Sequence, residues 1–199
     1  PLDHNSWREV MRLQEHLHWG FGRDRKLASI GVYDLDTIQG PINYSVVDPD
    51  DFKFCPLGMP KKEMTPNEIL EKHPKGVGYA HLLEPYEKYP ILIDAKGLVL
   101  SMPPIINSDE TKCKIGTSRL FIDVTGISLD SVTDSLITLV SALVELGGHV
   151  ETVQMNYPEG PKDTPDLQPG VINLHFEEAK KWLGLPFDRQ DFMAYLRKM

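Results

Sequence analysis

Asp123 and Thr125 are the two residues whose types and spacing in this chain best suit chemistry. They sit in the run Leu120-Phe121-Ile122-Asp123-Val124-Thr125, just before Gly126. Its alternation puts Leu120, Ile122 and Val124 on one face of a strand and Phe121, Asp123 and Thr125 on the other. A carboxylate accepts hydrogen bonds and a hydroxyl gives or accepts them, so the second face can line a pocket. The plainer alternative is a strand end whose Asp and Thr satisfy loop backbone groups.

Other reactive constellations are absent. The chain holds no GxGxxG, phosphate loop, HExxH, paired-cysteine metal motif or GxSxG elbow. Ser101 precedes Met102-Pro103, the wrong setting for a nucleophile elbow. His16 and His18 are expected on the surface, since neither has a set of carboxylate partners. His73 and His81 lie beside breakers or polar residues without a second ligand at metal spacing, and are read as structural or as flanking a substrate. Asp34 and Asp36 lack the third ligand of a calcium loop. A basic cluster (Arg23, Asp24, Arg25, Lys26) reads as solvated, with a phosphate contact as the alternative. Any reaction here depends on positioning and hydrogen bonds rather than on a metal or an activated nucleophile.

Composition narrows the partners. The 199 residues, 41% hydrophobic and 25% charged, suit a soluble domain with a sizeable core. With 21 Lys+Arg against 29 Asp+Glu the net charge is −8, which opposes an independent grip on a duplex. Contact with the end of a single strand, held mainly by a larger assembly, is compatible with it. No apolar run approaches the roughly 18 residues of a membrane span, and no signal peptide is evident. Two cysteines, Cys55 and Cys113, far apart in polar surroundings, point to a reducing, cytoplasmic setting.

The elements that must position the pair follow from local signals. Ser6 and Glu9 suggest a capped helix start, with Val10, Leu13, Gln14 and Leu17 as its stripe and Gly20 and Gly22 as its stop. A β-rich run follows at 27–35. Thr65, Pro66 and Glu68 open a short helix that stops near Pro74. Two apolar runs fold back at Asp94-Ala95-Lys96-Gly97, and Pro103-Pro104 ends the pairing. A two-residue loop would put Leu92 and Ser101 on one face, whereas a three-residue loop with a Gly bulge would separate them locally. The longest helix spans about 130–146, with a stripe of Val132, Leu136, Leu139, Val140, Leu143 and Val144. A β-type run leads into a Pro- and Gly-rich stretch, 158–169, where a boundary falls. Beyond it come a strand-like GVINLHF, a helix ending at Gly184 and a helix capped by Asp188 that closes at Met199.

Several blocks carry a family resemblance. LASIGVYDLD at 27–36, GPI at 40–42, FKFCPL at 52–57, YPILIDAKGLVLSMPPIINS at 89–108 and LFIDVTG at 120–126 occur in this order. Together they resemble the β chain of phenylalanyl-tRNA synthetase of the archaeal and eukaryotic cytosolic type. The tail, TPDLQP and INLHFEEAKKWLGL, resembles the start of the next module of that chain, cut off partway.

The resemblance implies a mixed α/β fold: a multi-layer sheet-and-helix editing domain over residues 1–160. Residues 161–199 would be a linker and the truncated start of a small helical module, a short strand and helix-pair extension. The implied activity is hydrolysis of tyrosine misattached to the phenylalanine tRNA; the alternative is a non-catalytic module that orients tRNA or subunits. The implied site is Asp123 and Thr125 as catalytic residues, with Leu92, Ser101 and Asn107 beside them in substrate binding. For the apolar position Leu98 and Leu100 are alternatives to Leu92. No metal or cofactor is implied in this segment, ATP and magnesium belonging to the whole synthetase. The implied partners are the tRNA 3′ end carrying tyrosine and the α chain, in a heterotetramer of two α and two β chains.

Overall fold

The computed structural model describes residues 1–198; Met199, the expected end of the last helix, lies outside the described residues. From the N-terminus run α1 (His4–Trp19), β1 (Ala28–Asp34), β2 (Asn43–Val47), α2 (Pro66–Lys72), α3 (Pro74–Tyr79), β3 (Tyr89–Ile93) and β4 (Val99–Met102). Then follow β5 (Ile106–Asn107), β6 (Leu120–Gly126), α4 (Leu129–Glu145), β7 (Val153–Tyr157), β8 (Gly160–Thr164), α5 (Phe176–Leu183) and α6 (Arg189–Leu196). The chain divides into two compact units, Pro1–Asp166 and Leu167–Met199.

In the first unit β1 pairs antiparallel with β6, and β2-β3-β4-β5 form a second sheet. Each strand of the first pair is apolar on one side. Val10 and Leu17 of α1 and Leu139 and Leu143 of α4 pack on Ile30, Val32, Leu120, Ile122 and Val124. The opposite face, carrying Tyr33 and Phe121, packs on Leu92 and Leu100 of the second sheet. The far side of that sheet, with Ile91, Val99 and Met102, packs on Ile69 of α2. Two sheets are thus sandwiched between helices, and β1 is buried along its whole length. Fully burying an aliphatic side chain stabilises by about 1.5–3 kcal/mol, so these three interfaces hold the strands rigidly.

Several local expectations are met and several are corrected. Thr65, Pro66 and Glu68 form a complete capping box on α2. Helix α4 starts beside its expected position, with Ser128 as cap. Helix α1 begins earlier than the Ser6 reading: Asp3 is its cap and accepts from the Ser6 N–H at 2.7 Å, a role Asp fills as well as Ser. His16 is exposed, but His18 is 2% exposed and not a surface residue. Its Nε2 accepts the Ile30 N–H at 2.8 Å, and burial keeps the ring neutral. His73 is structural: it caps α3 through Nδ1 and reaches the Leu57 carbonyl at 3.1 Å. Cys113 lies in the apolar layer beneath α1 and α4 rather than in polar surroundings, and burial pushes its thiol up to about 12.

The stretch 158–169 is not linker throughout. Gly160-Pro161-Lys162-Asp163-Thr164 forms β8, hydrogen-bonded to β7 through a tight turn. Its residues carry almost no strand propensity, so pairing rather than composition makes it a strand.

In the second unit α5 ends at Gly184, whose φ of 65° is left-handed as a helix-ending glycine requires. Asp188 caps α6, and Phe187 stacks on Phe192 at 5.4 Å. The strand expected at GVINLHF does not form; Val171 and Ile172 are 94% and 89% exposed. No neighbouring strand pairs with that backbone, and a lone strand has no ladder to hold it.

Candidate functional site

The hairpin between β3 and β4 decides which residues meet. Asp94 Oδ1 accepts the N–H groups of Lys96 and Leu98, both at 2.8 Å, and Gly97 takes a φ of 83°. This is the three-residue turn with a left-handed glycine. Its register pairs Ile93 with Val99, but a bulge beside Ile93 then sets Leu92 directly opposite Ser101. The two-residue loop does not form, and the three-residue loop, expected to separate Leu92 from Ser101, pairs them instead because the bulge cancels the offset of the turn. Tyr44 stands opposite Leu92, and Asn107 opposite Ser101. Tyr44, Leu92, Ser101 and Asn107 therefore form one row across the sheet.

The other wall comes from β1 and β6. Their register sets Ser29 opposite Thr125, Gly31 opposite Asp123 and Tyr33 opposite Phe121. The Thr125 and Ser29 hydroxyls lie 3.2 Å apart. Asp123 Oδ1 accepts the Tyr33 phenol proton. Neither side chain bonds loop backbone; each pairs instead with a side chain of β1.

Between the walls lies a narrow cleft that encloses about 10 Å³, lined by Arg25, Ser29, Tyr33, Ser101, Asn107 and Asp123 together with Pro103, Pro104 and Ile106. Of the residues expected at a site, Ser101, Asn107 and Asp123 thus meet on its surface. Thr125 lies at its edge, bonded to the lining Ser29. Leu92 is not on the surface; it is buried behind Tyr33, next to Leu100.

Burial pushes the Asp123 carboxyl up to about 6, the Tyr33 hydrogen bond pulling the other way. The group is thus ionised by about ten to one at neutral pH, in a setting that makes its charge costly. Burial first, then the Asp123 charge, raises the Tyr33 phenol well above its ordinary value, so it remains a neutral donor. The Ser101 hydroxyl, 3% exposed as a residue, lies beside that phenol and opposes the rise, yet makes no hydrogen bond of adequate geometry. Among the described residues no group of three or more His, Cys, Asp and Glu side chains could hold a metal ion, and no helix is long and apolar enough to cross a membrane.

Three polar residues at this cleft, Ser29, Tyr33 and Arg25, were not expected to line it. Tyr33 belongs to a run whose own alternation, Ser29, Gly31 and Tyr33, marks a second polar face. Arg25 belongs to the cluster read as solvated or phosphate-binding. Arg23 and Lys26 are exposed, but the Arg25 side chain is only 9% exposed. Its guanidinium donates to the Pro104 and Ile105 carbonyls at 3.2 and 3.0 Å, pairs with Glu15 at 3.3 Å and lies over the Tyr79 ring at 4.7 Å. Arg23, Asp24 and Arg25 all have left-handed φ, of 45°, 58° and 64°. Such backbone costs energy unless its surroundings impose it, and here it aims Arg25 inward to brace the Pro103-Pro104 wall.

Comparison with known proteins agrees with this architecture. Residues 16–140 match the B3/4 domain family. The phenylalanine–tRNA ligase β subunit of Methanosphaera stadtmanae is 42% identical over 198 residues, 99% of this chain and 35% of that one. That of Methanococcoides burtonii is 45% identical over 196 residues, 98% of this chain and 36% of that one. The chain therefore spans about a third of the length of the curated relatives it matches. An N-terminal fragment of the phenylalanyl-tRNA synthetase β subunit from Pyrococcus horikoshii superposes with a TM-score of 0.87 at 43% identity, covering 95% of this chain and 54% of that one.

Proposed function

Because the chain belongs to the B3/4 domain family, in the form it shares with archaeal phenylalanine–tRNA ligase β subunits, we propose that it is an editing module that hydrolyses tyrosine misattached to the phenylalanine tRNA. The observation that carries this reading is Asp123: a charge-bearing acceptor held half-buried in a cleft beside hydroxyl and amide side chains. A neutral acceptor would satisfy the Tyr33 phenol at less cost to the fold, whereas a site that must recognise a phenol has a use for a charged one.

The physical need is plain. An apolar synthetic pocket rejects a substrate that merely adds a hydroxyl by only about 100-fold, short of the roughly 10⁴ that accurate translation requires. A second site that hydrogen-bonds that hydroxyl supplies the rest, because phenylalanine would leave its acceptor unpaired. Asp123 accepts from the phenol of the tyrosyl ester, and Ser101 and Asn107 line the same cleft. Pro103, Pro104 and Ile106 supply the apolar surface for the ring, with Leu92 stiffening the wall behind Tyr33. The cleft encloses about 10 Å³, about the room of one water and far below the roughly 300 Å³ of ordinary ligand sites, so the ring enters only by parting the walls.

Water is the nucleophile. Its oxygen attacks the ester carbonyl and the bond to the ribose oxygen breaks. Tyrosine leaves as the free acid, and the proton from water passes to the departing ribose oxygen, which becomes a hydroxyl. Thr125 and Ser29, at the edge of the cleft, are placed to hold the terminal ribose or the water. The acidic surface leaves the grip on tRNA to other parts of a larger cytoplasmic ligase, where an α chain, ATP and magnesium serve the synthetic reaction.

The test uses the whole ligase carrying Asp123→Ala or Thr125→Ala. Aminoacylation with phenylalanine is expected to stay nearly intact while Tyr-tRNA accumulates. Loss of a charge-assisted bond worth roughly 1.5–3 kcal/mol lowers Tyr-ester hydrolysis about 10- to 150-fold. A residue that binds the phenol affects tyrosyl esters more than meta-substituted ones; a residue that holds water or ribose affects both alike. Wild-type hydrolysis in both variants would leave the module as a scaffold that orients tRNA or subunits.

A further inference from the structure

We propose that Tyr33 is a further specificity-determining residue of this cleft: a resident phenol that holds Asp123 as the acceptor for a second, incoming phenol. The proposal rests on the editing reading and adds a residue and a role to it.

The geometry is built around this pair. Tyr33 lies two residues beyond Gly31 on the same face of β1, and Gly31 stands opposite Asp123. The Tyr33 ring leans back over Gly31, and a Cβ there would overlap both Tyr33 Oη and Asp123 Oδ1. The phenol is fully buried and gives its proton to Oδ1. Asp123 Oδ2 has no donor among the described residues, and Asp123 lines the cleft. One oxygen is therefore engaged from within the fold, and the other is left for a guest.

A buried tyrosine hydroxyl requires a partner, and any acceptor would satisfy it. This one sits on the carboxylate that faces the cleft. That choice has a consequence for recognition. An ionised carboxylate only accepts, so it rewards a phenol and leaves a bare ring with a desolvated charge. A protonated one can donate, and it accepts weakly. Burial drives Asp123 towards the protonated form, and the Tyr33 bond works against burial. The other groups near it do not replace that effect. Tyr44 of β2 is a largely exposed phenol that partial desolvation and the Asp123 charge both raise, and the Cys113 thiol, itself raised, is neutral. Strands β4 and β5 bring the uncharged Ser101 and Asn107 to the cleft, and Arg25 binds Pro104, Ile105 and Glu15 through its terminal nitrogens, with its buried Nε left without a partner among the described residues.

Tyr33→Phe removes the phenol and keeps the ring. In the 199-residue chain the Asp123 carboxylate, followed by its ¹³C shift, should titrate at least about one unit higher than in the native protein. In the whole ligase, the ratio of Tyr-tRNA to Phe-tRNA hydrolysis should fall about threefold near pH 6.5, approach a tenfold fall near pH 5 and recover above pH 8, since one unit of midpoint takes the ionised fraction from about three-quarters to about a quarter at pH 6.5. Incorporating 3-fluorotyrosine at position 33 gives a stronger donor of nearly the same shape and should move the midpoint down, so the proposal does not depend on Tyr33→Phe folding well. An unmoved midpoint in both proteins overturns the coupling. A moved midpoint with a pH-independent native selectivity ratio makes Tyr33 a core residue only. The titration needs no tRNA, so failure of the editing reading would show separately, as unaltered hydrolysis by Asp123→Ala.

Discussion

Gly31 faces Asp123 across the β1–β6 pair, and the space that a side chain at 31 would occupy is filled by the Tyr33 phenol and the Asp123 carboxylate. The glycine is there for close approach rather than for an unusual φ. Gly31→Ala should therefore cost about 1–3 kcal/mol or more, as overpacking does. The added methyl can be housed only by parting the phenol from the carboxylate. Chemical denaturation measures the cost, and the same substitution in a Tyr33→Ala background checks its origin. The increment should shrink markedly there, because the residues share one space. An equal cost in both backgrounds would place the strain elsewhere.

Arg25 supports a second prediction, about the wall opposite. Its guanidinium spans two carbonyls, a carboxylate and a ring face, a geometry that an ammonium cannot copy. Arg25→Lys should destabilise the chain by about 2–4 kcal/mol and loosen the Pro103-Pro104 segment. Arg23, exposed on the same turn, provides the control: Arg23→Ala should stay within about 0.5 kcal/mol. Amide exchange at Ile105 and Ile106 reports the loosening directly. Similar stability losses for the two variants would mean that the turn itself, and not the clamp, matters.

The contrast between these two arginines shows where the sequence was legible. The shared face of Asp123 and Thr125 could be read because strand alternation is local, as could the Thr65 capping box and the glycine stop at Gly184. What could not be read depended on partners distant in the chain. His18 is buried because the Ile30 N–H requires an acceptor. Arg25 turns inward because the Pro104 and Ile105 carbonyls await it. Leu92 meets Ser101 only through a bulge, and β8 is a strand only because β7 lies beside it. Tyr33 is the sharpest case: its own strand shows a polar face, but the partner that gives it a role lies 90 residues away.

The Asp123 carboxylate leads to the last prediction, on stability against pH. Its folded value of about 6 lies above the ordinary 3.8. The folded chain thus binds this proton more tightly than the unfolded chain does. Between about pH 4 and pH 6 the native state holds more protons, so stability falls as pH rises through that window. Above it the full cost of the buried charge is present, about 3 kcal/mol at most for a shift of about two units. Solvent reaches the half-buried carboxylate and reduces that figure. Asp123→Asn keeps the shape and an oxygen to accept from Tyr33 but carries no charge. It should be more stable than the native chain by about 1–3 kcal/mol at pH 8 and no more stable near pH 4. Urea unfolding at the two pH values decides the matter. A difference that stays constant with pH would mean that Asp123 is not buried as a charge. A gain confined to high pH, together with loss of Tyr-ester hydrolysis in the whole ligase, would identify the carboxylate as stability given up for recognition.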